Sequence, residues 1–90
     1  MRIDPHDEVG HNNLGVMLVG DQKYAEAMAE FQKALLCKPS YAMTYYNIGL
    51  LLVVTQHKAE AASAFRKALL LKPDYKEADD QLQKIIYSIH

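Results

Sequence analysis

Lys33-Ala34-Leu35-Leu36-Cys37-Lys38-Pro39 returns 34 residues later as Lys67-Ala68-Leu69-Leu70-Leu71-Lys72-Pro73. The same offset, with no gap, lays Leu14-Gly15 on Ile48-Gly49, Ala27 on Ala61 and Phe31 on Phe65. A period of this length marks a stack of small supersecondary units, each hiding its apolar face against the next. Applied backwards, the offset puts Ile3-Asp4-Pro5 under Cys37-Lys38-Pro39. The register therefore divides the chain into 1–7, the tail of a preceding unit; 8–41 and 42–75, two full units; and 76–90, a closing helix.

Within each unit the apolar spacing is helical. Tyr24, Ala27, Met28, Phe31, Ala34 and Leu35 recur at i, i+3, i+4, i+7, with Glu26, Glu30 and Lys33 off the stripe. Ala61, Ala62, Phe65, Ala68 and Leu69 repeat that face over about Lys58 to Leu71. Gly20-Asp21-Gln22 and Thr55-Gln56-His57 break the pattern, and Pro39 and Pro73 cannot continue the helices before them. The stretch Tyr41 to Val54 is apolar nearly all round, which places it at the centre of the stack. Gly15 and Gly49, paired with Ala27 and Ala61, predict a close approach of two helices beside Phe31 and Phe65. Beyond Pro73, Asp74 and Glu77 have capping-box spacing ahead of a helix whose stripe is Ala78, Leu82, Ile85, Ile86 and Ile89. Gln83 stands in the register of Gly15 and Gly49, so no further helix needs to approach closely there, as in a terminal cap; the alternative is the first helix of a third unit cut short.

Composition narrows the function. A formal net charge of −1 gives no basic field to attract nucleic acid or an anionic membrane. The longest apolar run, Ile48 to Val54, is far short of the roughly 20 residues that span a bilayer. A lone Cys37 leaves no internal disulfide and fits a reducing compartment, so the cytoplasm is the expected location. His6, His11, His57 and His90 lack metal-ligand spacing, Asp79 and Asp80 are adjacent and diverge on a helix, and no nucleophile setting or glycine-rich phosphate loop occurs. No enzyme, cofactor or metal is expected.

The recurrence of Leu14-Gly15, Leu18, Tyr24, Ala27, Phe31, Ala34, Pro39 and of Tyr45, Ile48-Gly49, Leu52, Ala61, Phe65, Ala68, Pro73 resembles the tetratricopeptide repeat. His11 departs from it, standing where the family often has a large aromatic, a place that Tyr45 fills in the second unit. The resemblance implies an all-α, right-handed superhelical solenoid that binds a protein or peptide, as part of a larger array. It also implies a concave groove lined by the first helices. In this chain those positions are Val9, Asn12, Asn13 and Val16, then Met43, Tyr46, Asn47 and Leu50, then Glu77, Asp80, Gln81 and Lys84. Asn13, Asn47 and Gln81 follow one another at the repeat interval, and their amides could form a ladder that pairs with an extended backbone. Some relatives clamp the terminal carboxylate of heat-shock chaperones with lysine, arginine and asparagine. Asn47 fits such a clamp, but Asn12, Val16, Glu77 and Gln81 stand where it needs asparagine and cations, which argues against that ligand. The alternative to groove binding is self-association through exposed end faces or through Leu36 and Leu70 on the convex side.

Overall fold

The structure, a computed structural model, describes residues 7–89, of Ile89 the backbone alone. The expected repeat tail at Ile3-Asp4-Pro5, together with His6, His90 and the side chain of Ile89, lies outside the described residues. Five helices follow in order: α1 (Glu8–Gly20), α2 (Tyr24–Cys37), α3 (Ala42–Val54), α4 (Lys58–Leu71) and α5 (Lys76–Ile89). Helix α1 packs on α2, α3 on α4, and α5 on α4, so two helical hairpins stack and the last helix continues the series. The result is an all-α solenoid.

The two turns inside the hairpins are the same motif twice. In the first, Lys23 N–H donates to the Leu18 carbonyl at 2.8 Å and Gln22 N–H to Val19 at 3.0 Å; in the second, His57 N–H donates to Leu52 at 2.7 Å and Gln56 N–H to Val53 at 3.0 Å. Such crossed bonds close a helix end through one residue in the left-handed region. That residue is Gln22 (φ 62°) in one case and Gln56 (φ 66°) in the other. The breaks expected after Gly20 and at Thr55-Gln56-His57 are therefore real, yet glutamine rather than glycine takes the strained conformation.

Proline shapes the turns between hairpins. Tyr41 N–H donates to the Lys38 carbonyl at 3.1 Å, and Tyr75 N–H to Lys72 at 3.0 Å, each closing a four-residue turn with proline second. In both, the lysine ammonium stands over the tyrosine ring, 5.5 Å from the Tyr41 centroid for Lys38 and 4.7 Å from the Tyr75 centroid for Lys72. This turn corrects the expected capping box. It carries the chain through Asp74 before the helix begins, and the first helical bond of α5 runs from Asp79 N–H to the Tyr75 carbonyl at 3.1 Å. Tyr75 thus occupies the capping position, and Asp74 lies one residue too early to serve.

The core forms along the predicted stripes. Ala27, Phe31 and Leu51 make one cluster, and Ala61, Ala62, Phe65, Ala68, Tyr75, Ala78, Leu82 and Ile85 make a larger one. Phe31 and Phe65 have no exposed surface. A methyl carbon built on Gly49 falls 2.5 Å from Phe65 Cε1, and one on Gly15 collides with the same atom of Phe31. What the glycines admit is therefore an aromatic ring edge, at the faces where α1 packs on α2 and α3 on α4.

Candidate functional site

Comparing equivalent positions in the two hairpins shows how the first helices are held. His11, expected to be at the surface or between helices, lies between α1 and α2, where its Nδ1–H donates to Glu30 Oε1 at 2.8 Å. Lys33 Nζ donates to Glu30 Oε2 at 3.0 Å. One repeat later the three places are Tyr45, Ala64 and Lys67, with the Lys67 ammonium 5.9 Å from the centre of the Tyr45 ring. The histidine that departs from the family pattern is thus matched by an acid on the facing helix. Burial opposes ionisation of Glu30, but the hydrogen bond from His11, and then the hydrogen bond and charge of Lys33, outweigh it and hold the carboxyl below the ordinary glutamate value. A lowered folded pKa stabilises the protein above the unfolded value, and that contribution disappears as pH falls through the folded value. Thermal melts of wild type and Glu30→Gln from neutral pH downwards are expected to differ at pH 7 and to converge once pH has dropped well below the glutamate range.

The joint between hairpins is polar. Asn12 Oδ1 accepts from Thr44 Oγ1 at 3.1 Å and from Asn47 Nδ2 at 2.9 Å, tying α1 to α3. Asn12 is 1% exposed and Thr44 fully buried. Asn12, expected on the open face, is therefore a joint residue, because its carbonyl satisfies the Thr44 hydroxyl, which stacking has shut off from water, together with the half-buried Asn47 amide. At the next joint the register substitutes Tyr46 for Asn12 and Ala78 for Thr44. Here contact is aromatic: the Tyr46 ring lies 5.2 Å from that of Tyr75 and 5.8 Å from that of Phe65. Burial first, and then the negative charge of Glu77 and Asp80, hold the Tyr46 hydroxyl above its usual range.

On the surface of this joint Val16, Val19, Phe31, Asn47, Leu50 and Leu51 line an apolar recess of about 80 Å³. It unites three of the predicted groove residues, Val16, Asn47 and Leu50. Val9, Asn13 and Met43 are exposed on the same two helices, and Asp80 is exposed on α5. Asn47 spends one N–H on Asn12 and retains its other N–H and its carbonyl for a ligand. Gln81 and Lys84 line a separate recess with Val53, Lys58, Ile85 and Ser88. The amides of Asn47 and Gln81 therefore do not share one recess. A wider hollow of about 260 Å³ between Tyr24, Met28, Leu52 and Glu60 includes none of the predicted groove residues.

Among the described residues no cluster of three or more metal-ligating side chains occurs, and no helix is long and apolar enough to cross a membrane. Leu36 is 84% and Leu70 77% exposed, one repeat apart on α2 and α4.

Known proteins place this architecture. The family model described as tetratricopeptide repeat matches residues 43–75. None of the curated proteins matches the chain significantly. Among solved structures, the first tetratricopeptide repeat domain of Spaghetti (RPAP3), bound to the HSP90 peptide SRMEEVD, superposes with a TM-score of 0.86 at 27% identity, covering 96% of this chain and 68% of that one. YrrB, described as having an unusual peptide-binding site, gives 0.86 at 26% identity over 93% of this chain and 43% of its own. The second such domain of the human RPAP3 protein, in complex with the HSP70 peptide SGPTIEEVD, gives 0.82 at 29% identity over 91% of this chain and 68% of that one. Hairpin turns, glycine–phenylalanine contacts and proline turns all recur at one interval, the second unit matches the tetratricopeptide repeat model directly, and the described chain has the fold of tetratricopeptide repeat domains.

Proposed function

We propose that this protein is an interaction module that holds an extended segment of another protein in the groove formed by α1, α3 and α5. The observation that carries the reading is the recess at the α1–α3 joint. It combines apolar walls from Val16, Val19 and Leu50 with Asn47, whose amide is aimed by Asn12 and still has hydrogen-bonding capacity. An apolar pocket with one oriented polar group is suited to fixing a side chain and pairing the backbone beside it. Two neighbours at 27% and 29% identity bind peptides, which supports the same kind of ligand here. Val9, Asn13 and Met43 extend the surface along which the segment lies. The test is peptide selection from a random display library, followed by fluorescence titration of the selected peptides. Val16→Asp, which puts a charge at the mouth of the recess on an exposed position, is expected to weaken binding by at least tenfold, equivalent to about 1.4 kcal/mol. Undiminished affinity in that variant would remove the groove from consideration.

A second reading rests on Leu36 and Leu70. Two leucines so exposed at equivalent places form an apolar pair on the convex side, suited to contact with a second copy. Sedimentation over a concentration range separates the two readings: a monomer favours the groove alone, whereas a dimer lost on Leu36→Asp and Leu70→Asp supports self-association.

A further inference from the structure

The charges of this protein are distributed unevenly between its helices. Helix α1 carries no lysine or arginine, and α3 carries no charged residue at all. On the first helices the only lysines or arginines are Lys76 and Lys84, both on α5. The remaining described ones sit on α2, α4 and the turns. The helices α1 and α3 run in the same direction, since Asn12 meets Asn47 and, a turn further along both, Val16 shares a recess with Leu50; α5 follows suit, with Tyr75 before it against Tyr46 and Gln81 further along beside Val53. Their N-terminal ends therefore form one edge of the groove. That edge holds the carboxylates Asp7, Glu8, Glu77, Asp79 and Asp80 against the ammonium of Lys76 and those of Lys38 and Lys72, which are drawn onto the Tyr41 and Tyr75 rings, so carboxylates outnumber cations there. Lys84 lines the separate recess with Val53 and Ser88 and takes no part in the apolar one.

We infer that the groove selects a segment in which an apolar side chain, seated between Val16 and Leu50, is accompanied by a lysine or arginine lying toward Glu77 and Asp80, and that it discriminates against acidic tails. The inference rests on the groove reading above and adds the chemistry of the partner. Three features support it. The recess of about 80 Å³ has room for one aliphatic side chain and presents no charge to it. Glu77 and Asp80 are exposed, so a cation can reach them, and they belong to the first turns of α5, where Tyr75 and Ala78 pack against Tyr46 of α3. The half-buried Tyr46 ring adds a face that favours the methylene stem or the charge of a basic side chain. An acidic ligand, by contrast, would meet carboxylates on α5 and find no cation on α1 or α3. Like charges brought together at an interface oppose binding and lower the association rate. The peptides SRMEEVD and SGPTIEEVD bound by the RPAP3 domains are of that disfavoured type.

The experiment is library selection with the wild-type chain and with Glu77→Lys/Asp80→Lys, both substitutions on exposed positions, with circular dichroism to verify that the variant is folded. Peptides enriched by wild type are expected to pair an aliphatic residue with lysine or arginine. Their affinity should fall about tenfold in the variant at low ionic strength, and less near 0.3 M salt, where exposed charges are screened. The variant should in turn enrich acidic peptides. Enrichment of acidic peptides by the wild type, or basic peptides that bind both proteins equally, would overturn the charge inference while leaving the groove in place. Peptides that ignore both the charge reversal and Val16→Asp would overturn the groove reading as well, as would a selection that enriches nothing.

Discussion

Phe65→Ala is expected to destabilise the protein by about 3–5 kcal/mol, the usual cost of deleting a large aromatic from a closed core. Phe65 has no exposed surface and sits at the centre of the larger cluster with Ala61, Ala68, Tyr75 and Ala78. The same site makes a sharper test possible through Gly49. Alanine is favoured over glycine inside a helix by about 1 kcal/mol. At Gly49, however, the added carbon would lie 2.5 Å from Phe65 Cε1. Overpacking of this kind costs about 1–3 kcal/mol, and the ring is fully buried within its cluster, so Gly49→Ala alone is expected to be destabilising. In the Phe65→Ala background the obstacle is gone. There Gly49→Ala should stabilise, regaining the helix preference and filling part of the cavity. Urea denaturation of the four proteins in this cycle checks the reversal of sign, and an alanine that destabilises equally in both backgrounds would show that the ring is not what requires the glycine.

Asn12→Ala should cost about 2–3 kcal/mol although it deletes only an amide. The substitution leaves the hydroxyl of Thr44, which is fully buried, without its acceptor, and takes one partner from the half-buried Asn47. An unsatisfied buried donor costs about 1–3 kcal/mol, whereas removing both members of a pair can be nearly neutral. The double change Asn12→Leu/Thr44→Val should therefore recover more than half of the loss. Denaturation midpoints for the three proteins provide the check, and a double variant less stable than Asn12→Ala would contradict this account of the joint. Since Asn12 also aims Asn47, the single variant should weaken peptide binding too.

These two sites mark where sequence reasoning succeeds and where it stops. Repetition makes the fold legible: Phe31 and Phe65, Gly15 and Gly49, Pro39 and Pro73 each declare one structural need twice in the same register. The α2 and α4 stripes are read correctly because the apolar residues follow a helical period. Asn12 is different. Side-chain chemistry alone argues for a wet surface, and its burial depends on Thr44 and Asn47, which come from the next hairpin and are meaningful only once the hairpins are stacked. His11 carried a usable signal, since the change from His11 to Tyr45 accompanies a change from Glu30 to Ala64 at the interacting place. The left-handed residues were hidden for a further reason. Glycine at Gly20 draws attention to the first turn, but backbone hydrogen bonding places the conformation on Gln22. At α5 the Lys72–Tyr75 turn takes up Asp74, so the capping position falls on Tyr75 rather than on the expected Asp74.

For the groove itself, shape is less informative in the sequence than charge. Val16 and Leu50 are 34 residues apart, and only packing of α1 against α3 brings them to one recess with Asn47. The absence of cations from α1 and α3, by contrast, can be read directly along the chain.

Backbone amide shifts recorded while a selected peptide is titrated into the isotope-labelled protein test the central claim most directly. Binding in the groove predicts that the largest changes fall on Val16, Asn47, Leu50 and Asp80, with Leu36 and Leu70 unaffected. Changes concentrated around Leu36 and Leu70, with Val16 and Asn47 silent, would contradict it.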